Sequence, residues 1–269
     1  MQIRPVLRWH GGKSKLASWI INQLPAHRCY VEPFAGAASV LMQKGRSKSE
    51  VYNDLDGEVC NVFQVLRDHG DELKRLVELT PFAQAEFDLC YQPIDDPIEK
   101  ARRMLIRAAF GRASASATSP YKASFRNYSG AGRTTTAAQD WANYPCALTD
   151  FTKRLRGVVI ENKDALSVIK EHDSKDTLFY VDPPYVAATR VAIEGYRCEM
   201  TDGEHQKLAE ALRNVKGMVV LSGYSSPLYD RLFNGWRCTA VETHGDSASN
   251  RTEVLWFSPN CGKPADQLF

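Results

Sequence analysis

The chain has no stretch approaching the roughly 18–20 consecutive apolar residues that a bilayer-spanning helix needs. No two of its seven cysteines form a C-x-x-C pair. An odd set of scattered thiols argues against a disulfide framework or structural zinc and points to the reducing cytosol, so a cytoplasmic protein with no membrane partner is expected. None of the six histidines stands at H-x-x-x-H or H-E-x-x-H spacing, and no metal site is expected. A signal-peptide core is interrupted by Arg4, Arg8, Lys13 and Lys15. Internal repeats are absent, and net charge is nearly so: 34 Lys+Arg against 32 Asp+Glu leave +2. With 269 residues, 43% apolar and 25% charged, the chain is neither disordered nor fibrous, and it suits one large α/β domain, alone or with an insert.

The near-neutral total conceals an asymmetry. Between Lys100 and Arg156 eleven basic residues face only Asp140 and Asp150. That fifth of the chain carries about +9, so the remainder is net acidic by about 7. A basic segment in an otherwise acidic protein is a candidate footprint for a polyanion, or else a solvated helix face.

The hydrophobic pattern alternates strand and helix at both ends of the chain. Residues 13–24 carry a helical stripe, 30–32 and 50–54 read as strands, and 37–44 and 59–66 as helices. Strands are again expected at 158–160, 177–181, 217–222, 236–243 and 252–258, with helices at 164–172 and 202–215. Such alternation implies an α/β fold: one doubly wound sheet with right-handed crossovers, closed by an antiparallel hairpin. Between the two ends, residues 71–111 read as two or three helices broken by Pro81, Pro93 and Pro97. Residues 112–145 are rich in Ser, Thr, Gly and Ala without a sustained period, yet contain Tyr121, Phe125, Tyr128, Trp141 and Tyr144. Aromatics interleaved with Lys122, Arg126 and Arg133 suggest a surface that orders on a partner. The expected organisation is a catalytic domain from 1–56 and 148–269, interrupted by an insert at 57–147.

Chemistry concentrates at two strand ends. Asp182-Pro183-Pro184-Tyr185 follows the apolar strand TLFYV, where ligands sit in open α/β sheets. The bland alternative is a strand-ending Pro-Pro turn. An exocyclic amine on a nucleobase is a poor nucleophile because its lone pair is delocalised into the ring. The Asp182 carboxylate and the Pro183 carbonyl, both accepting its N–H hydrogens, would localise that pair, and the prolines hold the acceptors in place beforehand. Tyr185 offers a face for stacking, reached only by a base flipped out of a duplex. At the other strand end, Glu32-Pro33-Phe34-Ala35-Gly36-Ala37-Ala38-Ser39 is a small-residue turn into a helix, and Asp54 ends the next strand where an acid can hold ribose hydroxyls.

Taken in order, WHGGK (9–13), EPFAGAAS (32–39), NDLD (53–56), ENKDA (161–165) and DPPY (182–185) resemble the Dam-type DNA adenine-N6 methyltransferases. The resemblance covers roughly 1–56 and 148–258. It implies a Rossmann-like methyltransferase fold with a seven-stranded mixed sheet, S-adenosylmethionine as cofactor and double-stranded DNA as partner. By the same resemblance, Trp9 and Lys13 line the methionine end of the cofactor, Phe34 and Gly36 form the turn beneath it, Asp54 binds the ribose and Asp164 the adenine amino group. Asp182, Pro183, Pro184 and Tyr185 form the target-base site, and the insert is a DNA-recognition region. Arg8, Arg112, Lys122, Arg126 and Arg133 are the expected DNA contacts. Two departures stand out. Ala38 occupies the second glycine position of the family's F-x-G-x-G turn, and 112–145 lacks the recognition loop of the GATC-specific members, so the target sequence does not carry over.

His10-Gly11-Gly12-Lys13-Ser14 mimics the end of a P-loop, but Leu7 stands where that motif needs glycine. Ser222–Ser225 ends a buried strand and either lines the target pocket or makes a plain turn. His205 reads as a surface or packing residue. Other planar amines (cytosine N4, an RNA base, a glutamine amide) and a non-catalytic DNA-binding regulator remain open alternatives, as does a partner restriction endonuclease.

Overall fold

The computed structural model describes residues 6–112, 114–118, 121–127, 135–189, 197–244 and 250–262. In chain order the elements are α1 (Ala17–Ile21), β1 (Cys29–Glu32), α2 (Ser39–Gln43), β2 (Ser49–Asn53), α3 (Gly57–Asp68), α4 (Gly70–Leu79), α5 (Gln84–Leu89) and α6 (Pro97–Phe110). They continue with α7 (Ala137–Ala142), α8 (Tyr144–Leu155), β3 (Val158–Glu161), α9 (Ala165–Glu171), β4 (Thr177–Val181) and α10 (Asp202–Asn214). The chain closes with β5 (Met218–Tyr224), α11 (Pro227–Leu232), β6 (Arg237–His244) and β7 (Asn250–Phe257). Among the described residues no helix is long and apolar enough to cross a membrane.

The strands form one seven-stranded sheet ordered β3-β2-β1-β4-β5-β7-β6. Its first five strands run parallel and β7 pairs antiparallel with both β5 and β6. This is the expected doubly wound mixed sheet. β4 is buried at all five positions because helices cover both faces, which is why its sequence is a continuous apolar run rather than an alternation. Strand order reverses between β1 and β4, and a crevice opens there beyond their carboxyl ends.

Alternate strand residues feed two cores. Tyr30, Tyr52, Leu178, Tyr180, Val220, Leu255 and Phe257 pack on one face, under α2, α3, α4, α6 and α8. Val31, Val51, Phe179, Val181, Val219, Leu221 and Trp256 pack on the other, with α9, α10 and α11. Truncating a fully buried ring such as Phe63 or Phe179 would cost about 3–5 kcal/mol.

Helix starts follow local chemistry. Asp56 and Asp96 cap α3 and α6 through Glu58 N and Glu99 N, and Pro97 occupies the first turn of α6, where its missing N–H is no loss. Thr136 with Gln139 and Thr201 with Glu204 form capping boxes at α7 and α10.

The aromatic segment corrects the sequence expectation. Phe125 packs among Phe82, Phe87 and Phe110. Trp141 is buried, stacks on Tyr144 with centroids 5.3 Å apart, and donates its indole N–H to Thr80 O at 2.8 Å. These three rings belong to the core, not to a surface awaiting a partner. Only Tyr121 is exposed, and Tyr128 lies outside the described residues. Helix α8 begins at Tyr144 and runs past residue 147, so the segment expected to be an insert shares a continuous core with the sheet. Buried His205 is a packing residue whose Nδ1 lies 3.0 Å from the Tyr229 hydroxyl.

Candidate active site

The turn after β1 is built by backbone geometry. Gly36 adopts φ +48° and Ala38 φ +53°, the one non-glycine residue with positive φ among the described residues. A side chain at Gly36 would place its Cβ 2.4 Å from Trp9 Nε1, so the bare backbone is what lets the indole close over the turn. The turn is pinned to β2. Ala35 N donates to Asn53 O at 2.9 Å, Gly36 N to Asp54 Oδ2 at 2.8 Å, and the Tyr52 hydroxyl to Gly36 O at 2.8 Å. Asp54 Oδ1 accepts from Asp56 N, and burial pushes the Asp54 carboxyl up to about 6 against the pull of these N–H donors. Asp164 is the N-cap of α9, its Oδ1 accepting from Leu166 N at 3.0 Å and Ser167 N at 3.2 Å.

At the end of β4, Asp182 meets Lys13. Lys13 Nζ is 2.9 Å from Asp182 Oδ2, 2.8 Å from Gly11 O, 4.0 Å from Glu253 Oε1 and 4.8 Å from the centre of the Tyr185 ring. Burial raises the Asp182 carboxyl to about 6, while Lys13 opposes that rise and Glu253 adds to it. Its second oxygen, Oδ1, is buried with no hydrogen-bond partner among the described residues. The Tyr185 hydroxyl donates its one proton to Glu253, not to Asp182. Ser222 Oγ donates to the same Glu253 Oε1 at 2.7 Å.

Glu32, buried at the end of β1, accepts from the Tyr30 hydroxyl at 2.6 Å and Leu41 N at 2.7 Å, and burial pushes its carboxyl up to about 7. Period-2 alternation puts Glu32, Tyr180, Asp182, Ser222 and Glu253 on the sheet face that carries Tyr30, Leu178, Val220 and Leu255.

These elements line a cleft that opens to solvent. Of the residues expected to serve the site, Trp9, Lys13, Phe34, Gly36, Asp54, Asp164, Asp182 and Pro184 all line it, although they come from five separate stretches of sequence. Pro183 and Tyr185 are buried beside it. Sequence reasoning missed Glu253, Tyr180 and the part-buried Arg197, which reaches Asp56 at 3.0 Å and Glu58 at 3.1 Å at the cleft's edge. For Glu253 a signal existed: an acid on the same face of its strand as Leu255 and Phe257.

The expected DNA contacts are more dispersed. Arg8 donates to the carbonyls of Gly111 at 3.1 Å and Arg112 at 3.4 Å, tying the loop before Trp9 to the end of α6. Arg112 bonds Asn127 Oδ1 at 2.8 Å, Lys122 pairs with Asp88 at 2.8 Å, and Arg126 lies 3.8 Å from Asp140. Arg133 lies outside the described residues. Glu161, Glu171 and His172 offer ligand atoms within 4.8 Å of one another, but Lys163 reaches both glutamates, at 3.1 and 2.7 Å, making the group an ion-pair cluster.

The chain can be set beside known proteins. A type II methyltransferase of Methanocaldococcus jannaschii is 23% identical over 274 residues, covering 90% of this chain and 91% of that protein. The DNA adenine methylase of Haemophilus influenzae is 22% identical over 263 residues, covering 92% and 88%. A local match to the DNA adenine methylase of Escherichia coli reaches 33% over 69 residues, 26% of this chain and 24% of that one. Among solved structures, an rRNA methyltransferase of Streptomyces viridochromogenes superposes with a TM-score of 0.41 at 12% identity, covering 93% and 86%, too loose a likeness to carry weight. The model of the D12 class N6 adenine-specific DNA methyltransferases matches residues 9–244, a span that contains every strand end lining the cleft. The chain belongs to that family of enzymes.

Proposed function

We propose that the chain transfers a methyl group from S-adenosylmethionine to N6 of an adenine swung out of double-stranded DNA. The observation that carries this reading is the Asp182 carboxylate. It stands at the end of β4 in the same cleft as the Gly36 turn, with one oxygen buried and accepting no hydrogen bond from the described residues.

The residues fit the cofactor. Trp9 seats over a turn that tolerates no side chain at position 36, Asp54 stands at the end of β2 for ribose hydroxyls, and Asp164 opens α9 where an adenine amino group would be met. Bound there, S-adenosylmethionine supplies a methyl group already activated on a sulfonium, so no covalent enzyme intermediate is needed. Asp182 is ionised at neutral pH, accepts an N–H of the target amine and draws its nitrogen lone pair out of the ring. When N6 gains the methyl group it becomes positive, and the Asp182 carboxylate offsets that charge and accepts the proton N6 gives up. Lys13 holds the other carboxylate oxygen, Oδ2, which leaves Oδ1 for the amine. Tyr185 offers its ring to the extruded base, and alignment of the two reactants supplies most of the rate. Arg112, Lys122 and Arg126, with Arg133, would meet the phosphates of the duplex.

The test is mass spectrometry of nucleosides from DNA of cells lacking adenine methylation. The wild type should produce N6-methyladenine. Asp182→Ala should not, while its purified form still binds S-adenosylmethionine in calorimetry. Full activity in Asp182→Ala would remove that residue from the mechanism, and N4-methylcytosine as product would move the acceptor to cytosine.

A further inference from the structure

Glu253 is 3% exposed, on strand β7, opposite Tyr224 of β5. A carboxylate in that position is costly to bury unless it is compensated. Here its Oε1 accepts from both the Tyr185 and Ser222 hydroxyls and stands 4.0 Å from Lys13 Nζ. Holding Ser222 alone would not require an acid. The informative partner is Tyr185, whose ring centre lies 4.8 Å from the Lys13 ammonium and 4.6 Å from the centre of the Tyr224 ring, at 76° to it.

A phenol has one proton to donate. The Tyr185 hydroxyl has two carboxylates within reach of its influence, Asp182 and Glu253, and the proton goes to Glu253. Were it to turn to Asp182, it would occupy the lone pairs that the target amine needs, and Asp182 would become a weaker acceptor. Resting on the target-base reading above, we infer that Glu253 is a positioning residue for methyl transfer: by taking the Tyr185 proton it fixes the stacking ring and keeps Asp182 Oδ1 open for the amine. Two charged groups near Asp182 do not compete for this role. Lys13 is bound to the opposite oxygen, Oδ2, and Glu32 is held by Tyr30 and the Leu41 N–H.

The inference makes an uncommon demand: one substitution should partly cure another. Methyl incorporation into unmethylated genomic DNA, at saturating S-adenosylmethionine, is compared for wild type, Glu253→Leu, Glu253→Gln, Tyr185→Phe and the double variant Glu253→Leu/Tyr185→Phe. Glu253→Leu should lose about 100-fold in kcat, as when one preorganised polar contact to the reacting atoms is lost, with cofactor affinity unchanged in calorimetry. Glu253→Gln keeps an acceptor oxygen for Tyr185 and should stay within a few-fold of wild type. Tyr185→Phe should cost a few-fold, and placed on Glu253→Leu it should recover about tenfold, because the displaced proton no longer exists.

A double variant no faster than Glu253→Leu, or a Glu253→Leu as fast as wild type, would overturn the inference. If Glu253→Leu does not fold, Tyr185→Phe alone decides. Its acid limb in kcat/KM should coincide with that of wild type, whereas an upward shift would put the Tyr185 proton on Asp182 and refute the role of Glu253. Wild type and Asp182→Ala run alongside. An active wild type and inactive Asp182→Ala without rescue defeats this inference alone, while an active Asp182→Ala defeats the target-base reading and this inference with it.

Discussion

Lys13 Nζ and Asp182 Oδ2 meet at 2.9 Å although 169 positions separate them in the chain. The ammonium donates to the carboxylate the kind of N–H that the proposed substrate would, and its charge opposes the upward shift that burial imposes on Asp182. Replacing it by an uncharged side chain of similar length should therefore raise the Asp182 pKa from about 6. Lys13→Met is expected to move the acid limb of the kcat/KM profile upward by about one pH unit, so that activity falls much more at pH 6 than at pH 8. A limb that stays in place would show that Lys13 does not set the charge state of Asp182.

Much of this relationship was legible in pieces. Both residues sit in short motifs that end or precede regular elements, and the seven strands fall within one or two residues of their expected positions because buried parallel strands read as compact apolar runs. What the sequence could not show was which motif ends touch. Lys13 was expected at the methionine end of the cofactor; only the crossover that sets β1 beside β4 brings it to Asp182. Glu253 stayed hidden because an acid in an edge-region strand looks like a solvent-facing residue until β5 and Tyr185 are packed over it. Trp141 and Tyr144 were misread because Trp141 sits in the six-residue α7, set in Ser/Thr/Ala-rich sequence, and Tyr144 is the first residue of α8 just beyond it, although the capping box of Thr136 and Gln139 was a usable sign.

The two left-handed residues of the turn should respond oppositely to exchange. Gly36→Ala must both strain the backbone, at about 1–2 kcal/mol, and push Trp9 from its seat. Loss of cofactor binding, a lower melting temperature and altered tryptophan fluorescence are expected. Ala38 already bears the left-handed strain, but its methyl is fully buried. Relief of the strain and loss of the buried methyl, worth about 0.8 kcal/mol, nearly cancel, so Ala38→Gly should shift stability by less than about 1 kcal/mol in urea unfolding.

Basic residues of the insert should separate by salt dependence. Lys122 is half exposed and its pair with Asp88 is a surface one, which contributes little to stability. Lys122→Ala should lower the slope of log K against log salt for duplex DNA by about 1. Arg8→Ala should act differently, because its guanidinium holds the Gly111 and Arg112 carbonyls. It should lower the melting temperature while leaving that slope nearly unchanged. Equal slope changes for both variants would place Arg8 on the phosphates instead.

Glu32 gives a prediction on stability rather than activity. Burial is the first cause that lifts its carboxyl from 4.5 to about 7, ahead of the opposing bonds from the Tyr30 hydroxyl and Leu41 N. The folded protein thus binds this proton more tightly than the unfolded chain does. Wherever the native state holds more protons, stability falls as pH rises, so the Glu32 contribution is fully present below about pH 4.5 and is lost progressively up to about pH 7. The whole effect is on the order of 3 kcal/mol. Glu32→Gln keeps an oxygen for both donors but carries no charge at any pH. Unfolding in urea should find the two proteins similar near pH 4.5 and the variant increasingly more stable toward pH 8. Asp54 and Asp182 shift in the same direction but are common to both proteins, and they cancel in the difference. A difference that stays constant across that range would mean that Glu32 keeps its charge in the folded protein, and that the pocket beyond β1 is better solvated than its packing implies.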